Sequence, residues 1–324
     1  MAIRLVTYRR EEDIPVLPGC DVFHSAESFR VMARTTGFTV LLFVAYEGDK
    51  PVGKLLTLTR RLSRVLPFWK KTVVFGVGDY LDDTYHRDEV FSELLSYMVT
   101  VHKEETVMFE FRNLKESLFG YKYFRENGFF PVKFLRVVNS LHHGKLGKWM
   151  DISRRRQIER GLVNGADMCL AETKEETMEF FRMMKRYYSS RLNRYFPDMS
   201  FFEELCDCNR DREVARVFVV KYKGRVIGGS VCLFSGEDVY LLFSGGMNKT
   251  YHHLYPGVLA VWKAMTYAHD NGYRHLEFMN AGLPFKKIGY RDFILSFGGM
   301  QTSSRRWYRV RPAWLNRLLT RLYV

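Results

Sequence analysis

The chain has 324 residues, 47% of them hydrophobic and 27% charged, with a formal net charge of +14. That length exceeds one comfortable core and suits two domains of about 150 residues each, while the basic balance favours anionic partners. No run approaches the ~20 uncharged apolar residues of a membrane span, and the start Met1-Ala2-Ile3-Arg4 has no apolar signal core, so a cytoplasmic protein is expected.

Asp21–Arg34 reads as a helix with Ser25 as N-cap and Phe29, Val31 and Met32 as apolar positions. Val40–Tyr46 and Val52–Thr59 form a hairpin about the polar turn Glu47-Gly48-Asp49-Lys50. Lys71–Val77 is a further strand, and Asp88–His102 is a helix with Val90, Leu94, Leu95 and Met98 on one face. Thr106–Phe111 is a buried strand, followed by a short helix near Ser117–Asn127 and a strand Phe129–Val138. Leu141–Asp151, broken by Gly144 and Gly147, is the linker candidate. Beyond it come a basic helix, Ile152–Leu162, and a helix Glu175–Leu192 whose Met178, Phe181, Met184 and Tyr188 make a sulfur–aromatic core stripe. A short helix from Ser200 precedes strands Val214–Tyr222, Val226–Phe234 and Val239–Ser244. Helix Gly257–Asn271, strand His275–Phe278, a short helix and a closing strand near Arg306–Val310 complete the order.

The two halves say the same thing. Phe43-Val44-Ala45-Tyr46, Gly48 and Val52-Gly53 are echoed by Phe218-Val219-Val220-Lys221, Gly224 and Ile227-Gly228. His102 and Glu110-Phe111-Arg112-Asn113 are echoed by His269 and Glu277-Phe278-Met279-Asn280, and Gly120-Tyr121-Lys122-Tyr123-Phe124 by Gly289-Tyr290-Arg291-Asp292-Phe293. The unit is too long for a solenoid repeat. Two fused copies of one α/β domain follow, cut at 1–148 and 149–324.

Charge is uneven: residues 286–324 hold nine Lys/Arg and one acid, Asp292. Such a field raises the local concentration of a phosphorylated cofactor, tRNA or an anionic membrane, and by itself also suits a non-catalytic binder of nucleic acid or anionic surfaces. The five cysteines follow no paired framework, and neither Cys206-Asp207-Cys208 nor the pairs His142-His143 and His252-His253 has partners at metal-ligand spacing; no metal is expected.

The order of β-meander, helix and strand is that of the GNAT acyltransferase fold. Glu277-Phe278-Met279-Asn280-Ala281-Gly282, Pro284, Gly289-Tyr290-Arg291-Asp292-Phe293 and Phe297-Gly298-Gly299 resemble the ending of the Fem-type aminoacyltransferases. The basic helix at Ser153–Arg160, followed by Gly165, is similar to that family's opening of its second domain. The resemblance implies two tandem GNAT-like domains, each a mixed twisted sheet flanked by helices. It further implies transfer of an acyl or aminoacyl group to an amine, with acyl-CoA (acetyl-CoA) or aminoacyl-tRNA as donor. A small-molecule or lipid-linked amine, such as a cell-wall precursor, would be the acceptor. Where the family pattern has a lysine after its phenylalanine, this chain has Ile294, which leaves that place vacant or filled by Lys286, Lys287 or Arg291.

A site in the second domain also follows from chemistry. Tyr255-Pro256-Gly257 opens a long helix, where fixed φ, close backbone approach and unpaired N–H groups suit a pyrophosphate. Strand end Leu242–Gly246, with Ser244 and Gly245, would supply backbone amides to donor and oxyanion. Glu277 and Tyr290 are the candidate proton acceptor and donor, although their echoes Glu110 and Tyr121 equally suit structural residues. Arg154, Arg155 and Arg156, with Arg160 a turn on, Asn280 and Arg291 are candidates for holding the substrate. In the first domain Asp79, Asp82, Asp83 and Asp88 crowd the corresponding helix start, and their repulsion of an anion predicts that this copy has no cofactor site.

Trp314, Leu315, Leu318, Leu319 and Leu322, with Arg317 and Arg321, predict a C-terminal amphipathic helix. It either docks on the second domain or lies peripherally on an anionic inner-membrane face.

Overall fold

The computed structural model describes residues 3–62, 66, 68–81, 87–142, 144–187, 196–209 and 212–323. In chain order these form β1 (Ile3–Tyr8), α1 (Ala26–Arg34), β2 (Phe38–Glu47), β3 (Lys50–Arg61), β4 (Lys70–Phe75), β5 (Asp79–Tyr80), α2 (Arg87–Val101), β6 (Thr106–Asn113), α3 (Tyr121–Glu126) and β7 (Phe130–Ser140). Then follow α4 (Ile152–Val163), β8 (Asp167–Leu170), α5 (Lys174–Tyr187), α6 (Met199–Asp207), β9 (Ala215–Tyr222), β10 (Arg225–Ser235), β11 (Asp238–Gly246), α7 (Pro256–Asp270), β12 (His275–Phe278), α8 (Gly289–Leu295), β13 (Met300–Val310) and α9 (Ala313–Tyr323). Tyr188 and His143 lie outside the described residues, as do Asp82 and Asp83.

Local chemistry sets the elements. Ser25 caps α1 by accepting from the Ser28 amide. Along β2 the side chains alternate, Leu41, Phe43 and Ala45 entering one core cluster and Val40, Leu42 and Val44 another. That strand is therefore buried on both faces, covered by α2 through Leu94, Leu95 and Met98 and by α1 through Phe29. In the second half α7 is apolar nearly all round and packs Leu259, Val261 and Met265 onto Phe218, Cys232 and Leu276. The Met178, Phe181 and Met184 stripe of α5 is core.

Two compact units result, Met1–Phe134 with Ser303–Val324, and Leu135–Thr302. The first has the strand order β1-β2-β3-β4-β6-β13, and the second β7-β12-β11-β10-β9-β8. Both are mixed sheets, with β4 parallel to β6 and β11 parallel to β12. The closing strand of each half thus completes the sheet of the other: β13 runs antiparallel to β6, and β7 antiparallel to β12. A cut between 148 and 149 follows the repeat, whereas packing follows this exchange. Since β13 ends in the first unit, α9 goes with it, and the expected docking on the second domain gives way to an attachment to the first.

Among the described residues the first unit buries two histidines, His24 and His102, which are 0% and 4% exposed. His24 Nδ1 accepts from the Leu56 amide, and His102 Nε2 meets Thr57 Oγ1 at 3.0 Å. Burial lowers both from the ordinary 6.5 to about 4. The unfolded chain therefore binds more protons between those values, so stability is whole above pH 6.5 and falls as pH drops toward 4. Chemical unfolding of this unit at successive pH values should show a slope approaching two protons, ~2.7 kcal/mol per pH unit.

Candidate functional site

In the second unit the parallel pair β11–β12 is short. Asp238, Val239, Tyr240 and Leu241 face His275, Leu276, Glu277 and Phe278, and there the pairing ends. β11 runs on to Gly246 against β10 alone, so among the described residues Leu242–Gly246 has no strand on its β12 side. The parting coincides with a β-bulge: Val231 faces Phe243 and Cys232 faces Leu241, leaving Leu242 as the extra residue. A bulge bends its strand and adds twist, and so turns β11 away from β12. Ser244 and Gly245 lie on the resulting free edge.

The start of α7 packs against this strand end. A Cβ on Gly246 would stand 2.6 Å from the Gly257 nitrogen, and one on Gly228, its register partner, 2.8 Å from the Pro256 carbonyl. Neighbouring positions Gly229 and Gly245 leave room for Phe180 and Met184 of α5. Paired glycines thus make the sheet thin where helices approach. Tyr255 takes a left-handed conformation (φ 49°) to lead into Pro256. The structure therefore brings Ser244, Gly245, Tyr255, Pro256 and Gly257 together. It also fills the cradle's donors: Gly257 N–H goes to Asn248 Oδ1 at 3.1 Å, and the Val258 and Leu259 amides go to the Tyr255 carbonyl. A carrier phosphate reaches Gly257 only by displacing Asn248.

Glu277 is not presented to a ligand. It is 4% exposed and paired at 2.5 Å with Arg136 Nη1 on β7, the strand borrowed from the first half. Its echo Glu110 is 1% exposed and is held in the same way by Arg306 of β13 at 3.1 Å, with Lys71 and Arg112 alongside. Burial raises the Glu110 carboxyl, but Arg112, Lys71 and Arg306 overcome this and hold it well below the usual carboxylate range. The registers correspond, Val138 facing Glu277 and Tyr308 facing Glu110. A proton acceptor at Glu277 gives way to an ion pair that fastens an exchanged strand.

The remaining candidates gather around α8. Asn280 Oδ1 accepts from the Gly282 amide, and Arg291 donates to the Ala281 and Leu283 carbonyls at 2.8 and 2.5 Å, which shapes the loop leaving β12. Arg154 donates to Ser296 Oγ and Gln157 Oε1 and stacks over Phe293 at 4.8 Å. Tyr290, 43% exposed, lies beside the Phe293 ring. Arg155 is tied to the Lys148 carbonyl, while Arg156 and Arg160 are exposed without an acidic partner among the described residues. Arg154 and Arg291 are thus anchors of α8; Arg156, Arg160, Lys286 and Lys287 face solvent. Among the described residues no cluster of His, Cys, Asp or Glu could hold a metal ion.

The two copies differ at the fork. In the first unit β4 stays zipped to β6 from Lys70–Thr106 to Phe75–Arg112, and the Gly76 amide adds a bond to the Arg112 carbonyl. Asp79 is neutralised by buried Lys54 at 3.3 Å. Closed strands deny this copy an open edge like that of β11.

Residues 153–287 match the family model for the acetyltransferase (GNAT) domain. The solved structure of FemX is similar at TM-score 0.67 and 14% identity, over 94% of this chain and 95% of that one. A tandem GNAT protein from the clavulanic acid biosynthesis pathway gives 0.59 and 11%, over 96% and 99%. L-PGS from Bacillus licheniformis gives 0.57 and 11%, over 94% and 98%. No curated protein sequence matches significantly.

Breaking the Glu277–Arg136 pair should be costly. Glu277→Leu or Arg136→Met alone strands a buried charge and should lower stability by about 3–5 kcal/mol, whereas the double variant should recover most of it. A loss in the double variant equal to the sum of the two single losses, by denaturant unfolding, would refute the pairing. Asn248→Ala, which unties the Gly257 amide, should cost about 1 kcal/mol, and Asn248→Asp should keep the bond.

Proposed function

Starting from a tandem GNAT fold in which residues 153–287 match the GNAT acetyltransferase domain, we propose that this protein moves an acyl or aminoacyl group from an activated carrier to an amine at the fork between β11 and β12. The observation that carries this reading is the bulged run Leu242–Gly246, paired with β10 and, among the described residues, without a strand on its β12 side. An extended carrier arm bearing amides adds to such an edge as a strand would. Its free amides also suit the oxyanion formed when the amine attacks the carrier carbonyl.

The donor is an acyl-CoA or an aminoacyl-tRNA, carriers that both present adenosine and phosphate. Displacement of Asn248 Oδ1 by a phosphate oxygen would give that group the Gly257 amide and the positive end of α7. The acceptor is a small-molecule or lipid-linked amine, approached from the α8 side where Tyr290, Arg156, Lys286 and Lys287 are exposed. With Glu277 engaged by Arg136, the amine arrives as its free base. Its attack forms the C–N bond, the carrier's C–S or C–O bond breaks, and the amine's proton passes to the departing sulfur or oxygen, while the enzyme contributes alignment and the oxyanion donors.

Thermal unfolding with acetyl-CoA, longer acyl-CoAs and charged tRNA tests the donor. A true donor at a hundred times its Kd should stabilise the fold by ~2.7 kcal/mol, and unrelated polyanions should not match it at moderate salt. Stabilisation by every polyanion alike, lost with salt, would replace the acyltransferase reading with simple charge binding.

A further inference from the structure

α9 is held on the first unit by one side only. Asn316 Nδ2 donates to the Gly128 carbonyl at 2.9 Å and its Oδ1 accepts from the Val310 amide at 3.0 Å. Tyr323 stacks on Phe130 with ring centroids 5.9 Å apart, and Leu315, Leu319 and Thr320 are half-buried on the same side. None of the helix's residues is buried.

The opposite side is the informative one. A helix resting on a protein normally turns polar residues to water. Here Trp314, Leu318 and Leu322, at i, i+4 and i+8, are 68%, 49% and 69% exposed. Arg317 and Arg321 lie between them at i+3 and i+7, also exposed and with no acidic partner among the described residues. No residue from 311 to 324 is acidic. Tryptophan, leucine and arginine side by side on an outward face match the boundary of an anionic bilayer, where the indole and leucines enter the acyl region and the guanidinium groups meet lipid phosphates. At 11 residues the helix lies along such a surface and does not cross it.

We propose that the outer face of α9 docks the protein peripherally on an anionic phospholipid surface. The pattern favours lipid over a second copy of this chain because two such faces would bring the arginines of both copies together without an acid to answer them.

The test uses the full chain with sedimenting vesicles of phosphatidylcholine, alone or mixed with phosphatidylglycerol. Binding is expected to the mixed vesicles, weaker as salt rises. It should fall about fivefold for each of Arg317→Gln and Arg321→Gln and be lost in the combined Trp314→Ser, Leu318→Ser, Leu322→Ser variant. All five side chains are exposed, so circular dichroism should show every variant folded. No sedimentation with mixed vesicles at low salt, equal binding to phosphatidylcholine alone, or unchanged binding of the serine variant overturns the proposal. So does a dimer in velocity sedimentation that only the serine variant dissolves, since it would give the face to a second copy. The readout is lipid binding, so it stands or falls independently of acyl transfer.

Discussion

Buried glutamates at Glu110 and Glu277 carry charges that the fold must answer, and in both units an arginine from a strand belonging to the other half of the repeat takes part in the answer, joined at Glu110 by Lys71 and Arg112. A carboxylate removed from water is tolerable only with a cation and hydrogen bonds close by. Arg306 on β13 and Arg136 on β7 meet that demand at corresponding register positions. A slip of one residue along either strand would turn the arginine to the opposite face of its sheet. The pair therefore specifies both which strand completes each sheet and where it sits. Everything at the fork is built on the sheet so closed.

Against that shared frame the copies diverge through backbone more than through side chains. One unit keeps its parallel pair zipped to the end of β4; the other parts at an added residue, Leu242. The glycine pairs Gly228–Gly246 and Gly229–Gly245 then let helices close on both faces of the thinned sheet. An insertion of one residue in one strand is enough to give one copy an open strand edge where the other stays zipped. No change of fold is required, and the buried ion pair is retained in both.

The repeat was legible because its turns rely on residues with local consequences, such as Gly48 and Gly224, and its strands on strong alternation. The helix start at Tyr255-Pro256-Gly257 was legible for the same reason. Strand exchange was not, since β7 and β13 read alike as strands and their neighbours are decided by contacts more than a hundred residues away. Arg136 is one cation among many in the sequence, which therefore leaves Glu277 equally suited to a free carboxylate and to a structural one. The bulge at Leu242 left no mark, being one leucine beside another. Asn248 sits in a loop whose sequence gives no hint that its side chain reaches Gly257. Edge strands Ile3–Tyr8 and Asp167–Leu170 are short and only partly buried, so their alternation is weak in the sequence.

Exchange of the closing strands also governs the order in which a newly made chain can become native. All of the second unit is present once Thr302 has been added, but the first unit, although made earlier, lacks its last strand until residues 303–310 follow. Domains commonly fold in the order of their synthesis. Here the earlier unit must wait, its β6 edge open and Glu110 without Arg306, until residues 303–310 have left the ribosome.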